Sequence, residues 1–145
     1  MRLKRDRNMD FKIGDKAILS RTITDEDIKD FAEVVGDDNP IHLDDDFALR
    51  SRFGRRIAHG MWGGALISAV LGTRLPGAGT IFLSQSLKFL APVFPGDTIS
   101  AQVTLTNIRE DKPILTFETI CKNQNNDNCI EGEAKVLFEQ LNEGK

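Results

Sequence analysis

Apolar residues recur along the chain with two different periods, and the first period is helical. A weak alternation of apolar and polar residues at about 16–23 predicts a strand. Thr24 and the acidic residues 25–27 then provide a helix N-cap and a favourably charged first turn. The apolar residues after this cap share one helix face: Ile28, Phe31, Ala32 and Val35. The pattern predicts a short amphipathic helix.

Turn-forming residues end this helix at Gly36. Residues 37–40 read Asp-Asp-Asn-Pro, and Pro40 disfavours the helical conformation at Asn39. Residues 37–42 are therefore expected to form a loop. A second short helix is predicted at 46–49, and the polar stretch 50–56 ends it.

The next segment, residues 60–71, is apolar on nearly every side, which predicts a helix buried on most of its surface and ending near Gly72. Beyond the turn Pro76-Gly77 the period changes from 3.6 to 2. Alternating residues then predict four strands, at 81–89, 99–105, 114–121 and 130–138. Their separators are short enough for antiparallel neighbours. The prediction is an α+β fold, a curved antiparallel sheet wrapped around one long central helix.

Composition favours a single domain of 145 residues, because a chain with 40% hydrophobic residues at this length buries one core. Residues 1–9 are predicted to be a disordered basic tail before a domain at 10–145. The net charge of -3 attracts no polyanion, so a nucleic-acid partner is not expected. The sequence has no apolar run of membrane-spanning length and no secretory signal, so we expect no membrane contact. Cys121 and Cys129 are expected to be free thiols, which favours a cytoplasmic protein.

An acid and an imidazole lie five residues apart in the segment after the first helix. Asp37 and His42 could form an acid/base pair, held by the fixed φ of Pro40 and by turn hydrogen bonds of Asn39. The residues alone leave a second interpretation open. Asp37 and Asp38 could simply cap a helix end or a turn, with His42 as a half-buried packing residue.

Other chemistries find less support in the sequence. His42, His59 and one acidic residue of 44–46 could bind a metal, but the chain has only two histidines and no HxxxH or HExxH spacing, so no metal is expected. Ser68 lies in the buried helix without a histidine at a fixed spacing, which argues against a serine nucleophile. Gly60 opens that helix, so its N–H could bind a developing oxyanion, although close packing would also explain a glycine there.

One motif of the chain is Gly36-Asp37-x-Asn39-Pro40-x-His42, followed by five residues and Ala48. The later segments are Ala58-His59-Gly60-Met61, Leu83-x-Gln85-Ser86-Leu87-x-Phe89 with Pro92-Val93 and Gly96-Asp97, Arg109-Glu110-Asp111-Lys112-Pro113, and Gly132-Glu133-Ala134. Through these segments the chain resembles the MaoC-like, (R)-specific enoyl-CoA hydratase family over nearly all of its length after Met9. One departure is the bulky Trp62 before two glycines.

This resemblance implies a hot-dog fold and a homodimer, or a higher oligomer, with active sites at the subunit interface. It implies that Asp37 and His42 are the catalytic pair and that the Gly60 N–H receives the thioester carbonyl. By the same resemblance Asn39, Ser68, His59 and Met61 bind substrate or support the site.

The implied reaction is the reversible hydration of a trans-2-enoyl thioester to an (R)-3-hydroxyacyl thioester. No cofactor is expected, because the coenzyme A or acyl carrier protein arm belongs to the substrate. Two alternatives are an acyl thioesterase on the same fold and a non-catalytic acyl-binding or dimerisation module. The retained Asp37 and His42 argue against both.

Overall fold

The structure, a computed structural model, describes residues 10–139. The predicted tail at 1–9 and the end of the predicted domain, 140–145, lie outside this range. The elements in chain order are β1 Lys16–Thr22, α1 Asp25–Val35, α2 Pro40–Leu43, α3 Asp45–Leu49, α4 Gly60–Thr73, β2 Ile81–Gln85, β3 Lys88–Phe89, β4 Thr98–Ile108, β5 Ile114–Lys122 and β6 Asn128–Leu137. No helix within residues 10–139 has the length and apolar character needed to cross a membrane.

The six strands form one antiparallel sheet in the order β1-β4-β5-β6-β2, with β3 also pairing with β6. The helix α4 packs against this sheet through a row of buried side chains, namely Leu66, Ile67, Val70 and Leu71. Each fully buried aliphatic side chain of this kind contributes roughly 1.5–3 kcal/mol. Burial therefore outweighs the poor helix propensity of the glycines in α4. The predicted α+β fold with a long central helix is confirmed.

Local signals place α1 where the sequence predicts it. The Thr24 hydroxyl accepts a hydrogen bond from the Asp27 N–H at 3.1 Å, and the Thr24 N–H donates to the Asp27 carboxylate at 2.9 Å. These two bonds make a capping box. Gly36 ends the helix with φ 80°, a left-handed conformation that favours glycine.

The segment after α1 differs from the prediction, because residues 37–42 are not a loop throughout. Pro40 begins the one-turn helix α2, and the Asn39 side chain caps it by accepting from the Ile41 N–H at 3.2 Å. Proline fits the first helical position, since that residue needs no N–H donor and its φ is already helical. His42 therefore lies on a helix, while Asp37 lies on the connection before it.

The predicted strand 81–89 is also wrong in one respect, since it divides into β2 and β3. Both strands pair with β6, so neither is a neighbour of β4 as the short separator at 92–97 suggested. The edge of β4 is taken by β1. The segment at 92–97 instead binds residues beside the site: the Ala58 N–H donates to the Val93 carbonyl at 2.7 Å, and the Gly96 N–H to the Ile23 carbonyl at 2.7 Å.

Candidate active site

Asp37 is the first residue after the C-cap of α1, and its side chain is exposed in the single chain. Its carboxylate accepts from the Asn39 N–H at 3.3 Å, a turn-forming contact. Its backbone carbonyl accepts from the His59 ring at 3.0 Å. The carboxylate is thus held by short-range bonds near the imidazoles and keeps access to solvent.

His42 lies on α2 with only 7% of its surface exposed. Its Nδ1 lies 2.7 Å from the carbonyl oxygen of Ile57. Because a carbonyl oxygen can only accept, Nδ1 must carry the hydrogen. The neutral ring then has its lone pair at Nε2, the protonation state required of a general base.

His59 is buried to 4% exposure and stacks on His42, with ring centroids 3.9 Å apart and planes at 29°. Phe31 of α1 packs against the same ring at 4.9 Å. One ligand atom from each of Asp37, His42 and His59 lies within 4.8 Å of the others. The structure therefore brings the predicted pair together and adds a second imidazole directly beside it.

Gly60 is the first residue of α4, as predicted. Within residues 10–139 its N–H has no hydrogen-bond acceptor. A free N–H at the first turn of a 14-residue helix carries the positive end of the helix dipole. A side chain at this position would meet the ring of Phe89, whose Cε1 would lie 2.8 Å from the added Cβ. The Gly60 N–H can therefore receive an oxyanion.

A cavity of about 490 Å³ adjoins His42, His59 and Gly60 and is lined mostly by apolar side chains, and Asp37 is not among its lining residues. His42, His59 and Gly60 line it together with half-exposed Phe89 and fully buried Cys121. The cavity consequently runs from the surface into the space between α4 and the sheet. Such an apolar cavity suits an acyl chain whose reactive end meets the histidine and the Gly60 N–H.

The remaining predicted residues lie in different places. Asn39 caps α2 and so orients His42 without lining the cavity. Met61 lines the cavity and is 57% exposed. Ser68 is half-buried on α4, eight residues beyond Gly60, or about 12 Å along the helix, and it is not among the cavity-lining residues of this chain. The structure does not bring Ser68 to His42 within one chain.

Burial lowers the pKa of His42 below its ordinary value of 6.5. The hydrogen bond to Ile57 and the charge of Asp37 raise that pKa, while the neighbouring His59 lowers it, and the net direction is downward. At neutral pH the His42 ring is therefore neutral and can accept a proton.

The three ligand-type side chains at this site suit proton transfer better than a shared metal ion. His42 Nδ1 and His59 Nε2 already donate to backbone carbonyls, so one nitrogen remains on each ring. A metal must lie close to the plane of each imidazole that binds it, whereas stacked rings present nearly parallel planes. The acidic residues 44–46, which the sequence offered as third ligands, are not part of this cluster.

The two cysteines are free, as the sequence predicts, and both are buried. Burial raises the pKa of the Cys121 thiol to about 12. A thiol in this state forms almost no thiolate at neutral pH, so it is a poor nucleophile although it lines the cavity.

Two supporting residues of the site were missed by the sequence reasoning. Arg56 lies in the polar stretch 50–56, for which the sequence predicts no specific contact. Its guanidinium forms salt bridges with the carboxylates of Asp25 of α1 at 2.9 Å and Asp45 of α3 at 2.6 Å. It therefore joins the two helices that flank α2. The Ile57 carbonyl sets the tautomer of His42. No signal in the sequence identifies a backbone carbonyl as a partner, but the isolated arginine-rich stretch beside an acidic one could have suggested ion pairs.

An antiparallel sheet around one long helix defines a hot-dog fold protein, and in this one an Asp/His pair lies beside the residue that caps the helix N-terminus. The profile of the MaoC like domain family matches residues 11–126. The chain belongs to this family, and the predicted resemblance is confirmed.

Individual relatives agree with this assignment. The chain is 49% identical over 128 residues to the (R)-specific enoyl-CoA hydratase of Rhodospirillum rubrum, with 88% of each chain covered. It is 45% identical over 125 residues to the enzyme of the same name from Aeromonas caviae, covering 86% of this chain and 93% of that one. An R-hydratase structure from Pseudomonas aeruginosa superposes with a TM-score of 0.87 at 38% identity, covering 92% of this chain and 86% of the other.

Proposed function

We propose that this protein is an (R)-specific enoyl-CoA hydratase, a hydro-lyase that adds water across the 2,3 double bond of a trans-2-enoyl thioester. One observation carries the proposal: a buried imidazole with its Nε2 lone pair available lies beside a carboxylate and lines an apolar cavity with the free Gly60 N–H. The relatives named for this reaction and this stereochemistry, at 45% and 49% identity, support it.

The chemistry follows from these groups. Asp37 and His42 hold one water, and His42 Nε2 takes its proton as the water oxygen bonds to Cβ. The π electrons move onto the thioester carbonyl, and the resulting enolate oxygen is stabilised by the Gly60 N–H. The proton then returns to Cα, so one C–O and one C–H bond form and the net change is addition of water.

Magnitudes show why one group is insufficient. A positioned proton shuttle contributes roughly 10²–10⁴-fold and one oxyanion donor roughly 10²–10³-fold. Orientation of the acyl chain in the cavity supplies much of the remaining acceleration. The scheme uses no metal, flavin or nicotinamide, because every step is a proton transfer or an addition that these side chains support.

The test is hydration of crotonyl-CoA and longer homologues. The loss of the conjugated enoyl-thioester absorbance monitors the reaction, and chiral analysis then determines the configuration of the product. Asp37→Asn and His42→Ala should each lower kcat by about 10²–10⁴-fold in folded protein. Asp38→Asn is the matched control, since it removes the neighbouring exposed carboxylate, and it should leave kcat nearly unchanged. An (S)-product, thiol release without hydration, or full activity of either dyad variant would contradict the proposal.

We also propose that the protein is a cytoplasmic homodimer that pairs through β2. This edge strand has one unpaired side, carries no charge, and exposes Ile81, Phe82 and Leu83 to 54%, 41% and 50%. A long apolar edge is normally covered in a native protein. A second copy fits, because an uncharged strand can pair with itself about a two-fold axis without placing like charges opposite each other. The free buried thiols support a reducing compartment.

A further inference from the structure

His59 is a titratable side chain in the middle of the site that the proposed chemistry does not use. It is the N-cap residue of α4, directly before Gly60, yet its side chain makes no capping hydrogen bond. Its ring lies between Phe31 at 4.9 Å and His42 at 3.9 Å, and its Nε2 lies 3.0 Å from the Asp37 carbonyl oxygen. One side chain therefore contacts both members of the acid/base pair.

The hydrogen-bond partners define the tautomer of His59. The Asp37 carbonyl can only accept, so Nε2 carries a hydrogen. The other nitrogen, Nδ1, is buried and has no partner among the described residues. A second hydrogen there would be a buried donor without an acceptor beside another imidazole, which is unfavourable. The ring is consequently neutral, with the opposite tautomer to His42.

We propose that His59 is a positioning residue for the hydratase reaction: its Nε2–H fixes the Asp37 backbone, and its face fixes the His42 ring. The inference rests on the proposed function. Because His59 and Gly60 are consecutive, the same residue also sets the acid/base pair at a constant distance from the N–H that receives the enolate oxygen. Small displacements of such groups have large kinetic effects.

The surroundings explain why a neutral ring is needed here. His42 becomes positively charged each time it takes the proton from water. The charged groups beside the two stacked rings are the Asp37 carboxylate and the Arg56 guanidinium, which donates to the His42 backbone carbonyl at 3.5 Å and is itself paired with two aspartates. The aromatic ring of Phe31 packs against His59. A neutral His59 permits that charge, whereas a protonated one would oppose it. Aromatic contact with the face of a cation adds a small favourable interaction.

Two substitutions separate the contacts. His59→Phe keeps a ring against His42 and removes the donor to the Asp37 carbonyl, while His59→Gln keeps a donor and removes the ring. Each should lower kcat for crotonyl-CoA by about 10–10²-fold with KM changed less than about threefold, because the acyl cavity is retained. In His59→Gln the acid limb of kcat/KM should also move to higher pH, because the stacked ring that is removed contributes to the burial that lowers the pKa of His42.

Nitrogen-detected NMR of the imidazoles gives a readout that does not depend on activity, and the chain has only two histidines to assign. The wild-type protein at pH 7.5 should show Nδ1–H for one ring, His42, and Nε2–H for the other. His59→Gln should broaden or mix the tautomers of His42.

The outcomes are distinguishable. Hydratase activity absent from the wild type would refute the proposed function, while the tautomers would still test the geometry around His59. An Nδ1–H or a cationic His59 in the wild type overturns the inference even if neither variant folds. Folded variants with unchanged kcat and an unchanged pH profile overturn it as well.

Discussion

At the scale of single residues, His42 shows how burial and one backbone bond prepare a base. The Ile57 carbonyl holds the hydrogen on Nδ1, and burial makes the charged ring unfavourable. Both effects leave Nε2 able to accept a proton at neutral pH. Neither depends on Asp37, whose carboxylate contributes an opposing, smaller effect on the pKa of His42.

This arrangement predicts the pH dependence of the reaction. Because the pKa of His42 is lowered from 6.5, the midpoint of the acid limb of kcat/KM should lie below pH 6.5, and activity should stay near its plateau from pH 6.5 to pH 8.

The lowered pKa of His42 also predicts how the free energy of unfolding depends on pH. The unfolded chain protonates His42 more readily than the folded protein does, so acidification from about pH 6.5 down through the folded pKa destabilises the fold. Steady-state kinetics and urea unfolding between pH 5 and 8 measure both.

A matched check uses the Asp37→Asn variant. The Asp37 charge raises the pKa of His42, so its removal should move the NMR titration of the His42 ring to lower pH. An acid limb above pH 6.5 in the wild type would show that burial does not dominate at His42. An upward shift in Asp37→Asn would show that the Asp37 charge does not raise the pKa of His42.

The sequence predicted those site residues that are close together in the chain and missed contacts made by the fold. Asp37 and His42 are separated by five positions, so turn chemistry alone suggested that they meet. Stacking of His42 on His59 joins residues seventeen positions apart, and it depends on how α2 packs against the start of α4. Packing of this kind has no periodic signal, which is why the residues alone named His59 only as a candidate metal ligand, and its supporting place in the site was expected only from the resemblance.

At the scale of elements, the same limit explains the divided strand at 81–89. Its apolar alternation is continuous, but the backbone between β2 and β3 passes very close to Gly132 of β6. The Ser86 N–H donates to the Glu133 carbonyl at 2.9 Å, and the Glu133 N–H donates to the Ser86 hydroxyl at 3.0 Å. The first bond keeps the register that β2 and β3 share with β6, whereas in the second a side-chain hydroxyl replaces the Ser86 carbonyl as the acceptor, which interrupts the regular ladder. A contact across the sheet therefore determines where the strand divides.

Gly132→Ala tests this junction. A Cβ at Gly132 would clash with the Ser86 carbonyl oxygen and lie 2.8 Å from its carbon, and backbone atoms cannot rotate away as a side chain can. We expect the free energy of unfolding to fall by roughly 3 kcal/mol, at the upper end of the range for overpacking. Urea denaturation followed by circular dichroism measures the change.

Gly72→Ala is the control for that experiment. Gly72 lies in α4 with nothing within 4 Å of an added Cβ, so alanine should stabilise the protein by about 0.5–1 kcal/mol through higher helix propensity. Equal effects of the two substitutions would show that the contact with Ser86 does not constrain the sheet.

At the scale of the whole molecule, the site gathers three parts of the chain around one helix end. The connection after α1 supplies Asp37, α2 supplies His42, and the start of α4 supplies His59 and Gly60. Arg56 ties α1 to α3 from outside. The Asp37 side chain nevertheless remains exposed in a single chain. This exposure agrees with the expectation, implied by the family resemblance, that active sites lie at a subunit interface.

The proposed dimer is tested by placing a charge on each edge of the sheet in turn. Leu83→Lys puts two like charges near a two-fold axis through β2, so the protein should sediment as a monomer and lose most of its hydratase activity. Ile18→Lys is matched to it, because Ile18 lies on the opposite edge strand β1 with a similar exposure of 48%. That variant should remain dimeric and active. If the Ile18→Lys protein dissociates while the Leu83→Lys protein remains dimeric, the interface lies at β1 and not at β2. If the Leu83→Lys protein is a fully active monomer, the complete active site lies within one chain.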